Sequence, residues 1–148
     1  MSLAQAPHPD AVPNPSEAVQ TPSAGVLIVD DDQSIGGLLM RFLTLHGVPA
    51  WYVQNSREAV KVYRRFQHQI AYVLLDVRLP ELDGPHTLLQ LQKINAGVCC
   101  CYMSGDSRPY TQEQLLQTGA IAVLAKPFPL SSVLAYLDKA EPTKSRLV

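Results

Sequence analysis

The sequence predicts an α/β protein with a parallel five-stranded sheet covered by helices on both faces. Three observations carry this. Short apolar runs alternate, five times over, with segments whose apolar residues recur at helical spacing. The runs are nearly continuous rather than alternating, as parallel strands buried on both faces require. Four of the five runs end on a polar or charged residue, at what a right-handed doubly wound topology makes one edge of the sheet. A length of 148 residues suits one domain of this kind and is too short for an eight-fold barrel.

The elements follow in order. "VLIVD" (26–30) is the first strand. "QSIGGLLMRFLTLHG" is the first helix, with Ile35, Leu38, Leu39 and Phe42 inward and Gly47 as its stop. Gly36 and Gly37 each weaken that helix by roughly 1 kcal/mol relative to Ala. "PAWYVQN" (49–55) reads as an edge strand because of Pro49. Ser56 is expected to cap the second helix, with Ala59, Val62, Tyr63 and Phe66 on its inner face. "IAYVLLD" (70–76) is the third strand. Asp83–Gly84 forms a turn before a third helix that carries Pro85 in its first turn.

"VCCCYMSG" (98–105) is the fourth strand, and its three consecutive cysteines read as small core residues alternating between faces. They have neither metal-site spacing nor a disulfide pattern. A short helix containing Leu115 and Leu116 ends before Gly119. "AIAVLAK" (120–126) is the fifth strand, broken by Pro127, and "LSSVLAYLDKA" is the last helix. Residues 1–24, rich in Pro and Ala, are expected to form a disordered tail, 25–140 the folded domain and 141–148 a second tail.

A net charge of −1 argues against direct nucleic-acid binding, which needs a basic stripe. No apolar run reaches membrane-span length and no secretory signal opens the chain, so a cytoplasmic protein with no membrane contact is expected. His8, His46, His68 and His86 are scattered and receive no role.

In the flavodoxin-like strand order 2-1-3-4-5, the reversal point lies between the first and third strands. Those strands end on Asp30–Asp31 and on Asp76; the fourth ends on Ser104 and the fifth on Lys126. Taken alone, Asp30, Asp31 and Asp32 could be a solvated helix start. Three carboxylates in one cleft, however, call for a cation, and oxygen ligands without His or Cys suit Mg²⁺ or Mn²⁺. A lysine and a hydroxyl on the same cleft suit a phosphoryl group, for which one carboxylate could act as nucleophile. Asp32 is the expected cap of the first helix.

The segments "VDDD", "LLDVRLPELDG", "MSG" and "LAKPF", in this order, resemble the signature segments of response-regulator receiver domains, over about residues 25–140. The resemblance implies a two-component phosphorelay protein, a signalling domain rather than an enzyme. It implies Asp76 as phosphoacceptor, taking its phosphoryl group from a phosphohistidine on a sensor histidine kinase or phosphotransfer protein. It implies Mg²⁺ held by Asp31, Asp76 and the Arg78 backbone carbonyl, with Asp30 acting through water. Ser104 and Lys126 would bind the phosphoryl group, and Lys126–Pro127 would be cis.

Arg78 and Asp106 occupy positions that tune phosphoryl lifetime in the family, and they are expected to pair across the mouth. Val123 stands where many receivers carry a switching aromatic residue. No second domain follows residue 140, so action through a surface is expected, against an unknown output partner or a second copy. By resemblance that surface is the fourth helix, fifth strand and fifth helix. A degenerate receiver, acting only as a binding module, is the alternative. A Mg²⁺-dependent phosphohydrolase fits less well, because "DVR" puts Arg78 where the common D-x-D motif has its second acid. A flavin module would meet repulsion between its phosphate and "DDDQS".

Overall fold

The computed structural model describes residues 24–145. Apart from Ala24, the expected N-terminal tail lies outside the described residues, as do residues 146–148. In chain order the elements are β1 (Gly25–Val29), α1 (Gln33–Leu45), β2 (Ala50–Val53), α2 (Ser56–Phe66) and β3 (Ile70–Asp76), then α3 (Gly84–Ile94), β4 (Cys100–Ser104), α4 (Gln112–Gln117), β5 (Ala122–Ala125) and α5 (Ser131–Ser145). The last helix therefore runs past residue 140, where the second tail was expected to begin.

All strand pairs are parallel, and the sheet order is β2-β1-β3-β4-β5. This is the predicted 2-1-3-4-5 order, with β2 at an edge. Side chains alternate across the sheet and build two cores. Leu27, Val29, Val73, Leu75, Cys100 and Tyr102 face α2, α3 and α4. Val26, Ile28, Leu74, Cys101 and Met103 face α1 and α5, whose Leu39, Leu43, Val133 and Leu137 cover them. Cys100 and Cys101 thus sit on opposite faces, and burial pushes both thiols up, Cys101 to about 12. They are structural residues, as the spacing implied.

Helix starts are capped as well-formed helices need. Asp32 accepts from the Ser34 and Ile35 amides, confirming it as the α1 cap. Asp83 caps α3, with Pro85 in the first turn, and Thr111 forms a capping box with Gln114 on α4. The expected Ser56 cap is corrected: Asn55 caps α2 by accepting from the Glu58 amide at 2.9 Å, and Ser56 is the first helical residue, buried. The amide oxygen reaches one residue further back, where the backbone is extended.

In α1, Leu39 and Leu43 are buried and Ile35 and Phe42 pack half-buried against the same core, whereas Leu38 is 53% exposed, against expectation. Gly36, on the same helix, is buried against the Tyr52 ring of β2, where any Cβ would overlap it. Gly36 is thus a packing requirement as well as a propensity cost.

Candidate functional site

β1 and β3 are neighbours, so the residues that end them share one edge of the sheet. Asp30 follows the parity of Val26 and Ile28, and Asp76 that of Tyr72 and Leu74. Both carboxylates are therefore carried on the α1/α5 face. Lys126 follows Ala122 and Leu124 on β5 and belongs to the same face. Its amide donates to the Ser104 carbonyl at 2.8 Å, which anchors it beside β4.

The side chains converge. Lys126 Nζ donates to Asp30 Oδ2 at 2.8 Å and to Asp76 Oδ2 at 3.4 Å. Asp30 Oδ1 accepts from the Asp32 amide at 2.9 Å, and Asp76 Oδ1 from the Arg78 amide at 3.2 Å. Asp30 is fully buried and Asp76 nearly so, whereas Asp31 is exposed. One carboxylate oxygen from each of Asp30, Asp31 and Asp76 lies within 4.8 Å of the others. The structure thus brings together all three acids and the lysine that the sequence placed at strand ends.

The electrostatics are unbalanced. Three carboxylates share one ammonium. Burial, reinforced by the charge on Asp30, pushes the Asp76 carboxyl up to about 6, although Lys126 and the Arg78 amide oppose the shift. Burial acts to lower the Lys126 pKa, but the hydrogen bonds and charges of Asp30 and Asp76 outweigh it and hold it above its ordinary value. The cluster's donors are all hard oxygens, so a small divalent cation such as Mg²⁺ fits it and a thiophilic metal does not. Asp31, whose carboxylate is exposed, is the member best able to take up an ion from water.

Ser104 is buried at the end of β4, next to the Asp76–Met103 register pair, and its hydroxyl makes no hydrogen bond among the described residues. Arg78 Nη1 reaches Asp106 Oδ2 at 3.1 Å, so the expected pair across the mouth exists. Asp106 is also gripped by Arg108, through Nε at 3.0 Å and Nη2 at 2.7 Å. These hydrogen bonds hold its carboxyl well below the usual carboxylate range. The Lys126–Pro127 bond is cis, as expected.

At the switch position, Val123 is half-buried and pairs in register with Tyr102 on β4. Tyr102 is fully buried, and its hydroxyl meets Thr118 Oγ1 at 2.8 Å. Two contacts around the site had no signal in local sequence. Tyr52 donates to the Asp30 carbonyl at 2.8 Å, and Tyr110 donates to Asp83 Oδ2 at 2.7 Å. Each joins residues distant in sequence, and no spacing rule links them.

The sheet order, the acid cluster at the reversal point and the lysine facing it define a receiver. The family profile described as "Response regulator receiver domain" matches residues 26–138, and this chain belongs to that family. Among curated proteins it is 32% identical over 115 residues to the transcriptional regulatory protein ZraR of Escherichia coli (strain K12), covering 78% of this chain and 26% of that one. It is 29% identical over 124 residues to the probable C4-dicarboxylate response regulator DctR of Bacillus subtilis (strain 168), covering 82% and 54%. The chain thus spans about a quarter to a half of the length of these relatives.

Among solved structures, a response regulator receiver domain protein from Clostridium thermocellum superposes with a TM-score of 0.78 at 22% identity, over 84% of this chain and 99% of that one. The structure of a CheX–CheY–BeF3–Mg²⁺ complex from Borrelia burgdorferi matches with a TM-score of 0.69 at 26% identity, over 75% and 84%. The fold is that of a signalling domain, and no described helix is long and apolar enough to cross a membrane.

Proposed function

We propose that the chain is the phosphoacceptor of a two-component phosphorelay, with Asp76 as the accepting residue. The single observation that carries this is the placement of the Asp76 carboxylate at the sheet's reversal point, in a three-acid cluster and 3.4 Å from Lys126 Nζ. An Asp76 oxygen attacks the donor phosphorus, forming the acyl-phosphate bond. The bond from phosphorus to the phosphohistidine nitrogen breaks, and the imidazole leaves with that electron pair. Asp31, Asp76 and the Arg78 carbonyl would hold Mg²⁺, with Asp30 acting through water, and the ion would supply charge neutralisation.

Lys126 is held charged by Asp30 and can shift its hydrogen bonding toward the incoming phosphoryl oxygens. The Ser104 hydroxyl, which makes no hydrogen bond among the described residues, donates to another of them. Arg78 and Asp106, paired over the mouth, obstruct the water that would hydrolyse the product. The donor is a sensor histidine kinase or a phosphotransfer protein. A relative crystallised with BeF3 and Mg²⁺ supports the same chemistry here. Output runs through the α4–β5–α5 face, a reading supported by the exposure of Leu116 on α4 and of Ile121 just before β5, and the cytoplasm is the compartment proposed for it.

The test is incubation with Mg²⁺ and a small acyl-phosphate donor, read by intact mass. One added phosphoryl group is expected on the wild type and none on Asp76→Asn. No adduct, or one that survives Asp76→Asn, would defeat the proposal.

A further inference from the structure

Two loops border the site: residues 77–83 after β3 and residues 105–111 after β4. They are joined twice. Near the acceptor, Arg78 Nη1 meets Asp106 Oδ2 at 3.1 Å. At their far ends, the Tyr110 hydroxyl donates to Asp83 Oδ2 at 2.7 Å.

Each end of the second link is anchored. The other oxygen of Asp83 accepts from the His86 amide at 3.1 Å and meets His86 Nδ1 at 2.6 Å. The start of α3 is in turn seated on the acceptor strand. The Gly84 amide donates to the Val77 carbonyl at 2.8 Å, and a Cβ on Gly84 would overlap the Asp76 carbonyl. Tyr110 is half-buried against the core under α2–α4, and its amide donates to the Ser107 carbonyl at 2.9 Å.

The contacts and the chain between them therefore form a closed ring. From Asp76 it passes to Val77, whose carbonyl holds the Gly84 amide, then to Asp83, crosses to Tyr110, follows the loop back to Asp106, crosses to Arg78 and returns through the Arg78 amide on Asp76 Oδ1. An exposed ion pair such as Arg78–Asp106 contributes little by itself. Moreover, Asp106 is tied to Arg108 on its own loop and moves with that loop. Whether it meets Arg78 is thus decided by where residues 105–111 sit, and the partly buried Tyr110–Asp83 bond ties the far end of that loop to the start of α3.

We propose, on the phosphoacceptor reading above, that Tyr110 is a positioning residue for this site. Its hydroxyl, anchored on Asp83, holds the 105–111 loop so that Asp106 keeps Arg78 across the mouth and slows hydrolysis of the acyl phosphate.

The test is a double-mutant cycle on phosphoryl half-life. The wild type, Tyr110→Phe, Asp106→Ala and the double variant are loaded with a small acyl phosphate and Mg²⁺, freed of donor and followed by intact mass. Tyr110→Phe retains the ring, so packing is preserved. Each single variant is expected to shorten the half-life about two- to fivefold, and the double variant no further than the faster single. A merely structural tyrosine would lower the melting temperature and leave this non-additivity absent. A wild-type half-life in Tyr110→Phe, or effects that multiply in the double variant, would overturn the proposal. A wild type that gains no phosphoryl mass would instead end the phosphoacceptor reading, and this one with it, before any variant is compared.

Discussion

Lys126 Nζ lies closer to Asp30 than to Asp76, at 2.8 Å against 3.4 Å, although Asp76 is the proposed acceptor. The lysine neutralises the fully buried acid first and shares what remains with the other. Asp76 is left half-compensated, which suits a carboxylate that is to bind something further.

The acidity of Asp76 makes stability depend on pH. Its folded pKa is raised from 3.8 to about 6, so between these values the folded state holds a proton that the unfolded state has lost. Stability therefore falls as pH rises through this window, and the cost is fully present above it. In chelator, Asp76→Asn should stabilise the protein at pH 7 by roughly 2–3 kcal/mol and by little at pH 4. Urea denaturation at the two pH values measures this.

Removing the lysine should be costly. Lys126→Met leaves two buried carboxylates without their cation, for a loss of about 3 kcal/mol or more at pH 7. The deficit should shrink toward pH 4.5, as Asp76 takes up a proton and the repulsion eases. Equal losses at both pH values would contradict the charge balance drawn here.

Mg²⁺ should stabilise the fold by relieving repulsion among Asp30, Asp31 and Asp76. At a concentration ten times its dissociation constant the gain is about 1.4 kcal/mol, a few degrees in Tm. Asp31 is exposed, so Asp31→Asn should raise the metal-free Tm only slightly, by easing the same repulsion, and abolish the Mg²⁺ increment. Thermal scans with and without Mg²⁺ distinguish these.

Two adjacent glycines should respond in opposite ways. Nothing lies within 4 Å of a Cβ built on Gly37, so Gly37→Ala should stabilise α1 by about 0.5–1 kcal/mol. At Gly36 the new methyl meets the Tyr52 ring, which is held by its hydrogen bond to the Asp30 carbonyl. Gly36→Ala should therefore cost about 1–3 kcal/mol despite the better helix propensity. Denaturation midpoints of the two variants give the signs directly.

Much of this was legible from the chain alone. The apolar runs located all five strands, and the acids, serine and lysine that ended them were the residues that the sheet edge assembles. Parallel strands must be buried on both faces, so each run announces itself, and a polar residue at its end has only the edge to occupy. Local pattern failed where a neighbour in space decided the outcome. Leu38 had helical spacing yet is exposed, while Gly36 on the same helix is buried against the Tyr52 ring of β2. Ser56 was a good cap by type, but Asn55 held the extended backbone.

What the sequence by itself determined was the fold class, the five strands and the identity of the acidic edge, since periodicity and burial follow from side-chain type; the strand order came from the fold that the resemblance implied. What only the tertiary structure decided was the pairing. It placed Lys126 first on Asp30, Tyr110 on Asp83 and Tyr52 over Gly36. Each pairing joins residues from separate elements, and its distance depends on how the helices and loops settle on the sheet, which no local spacing encodes.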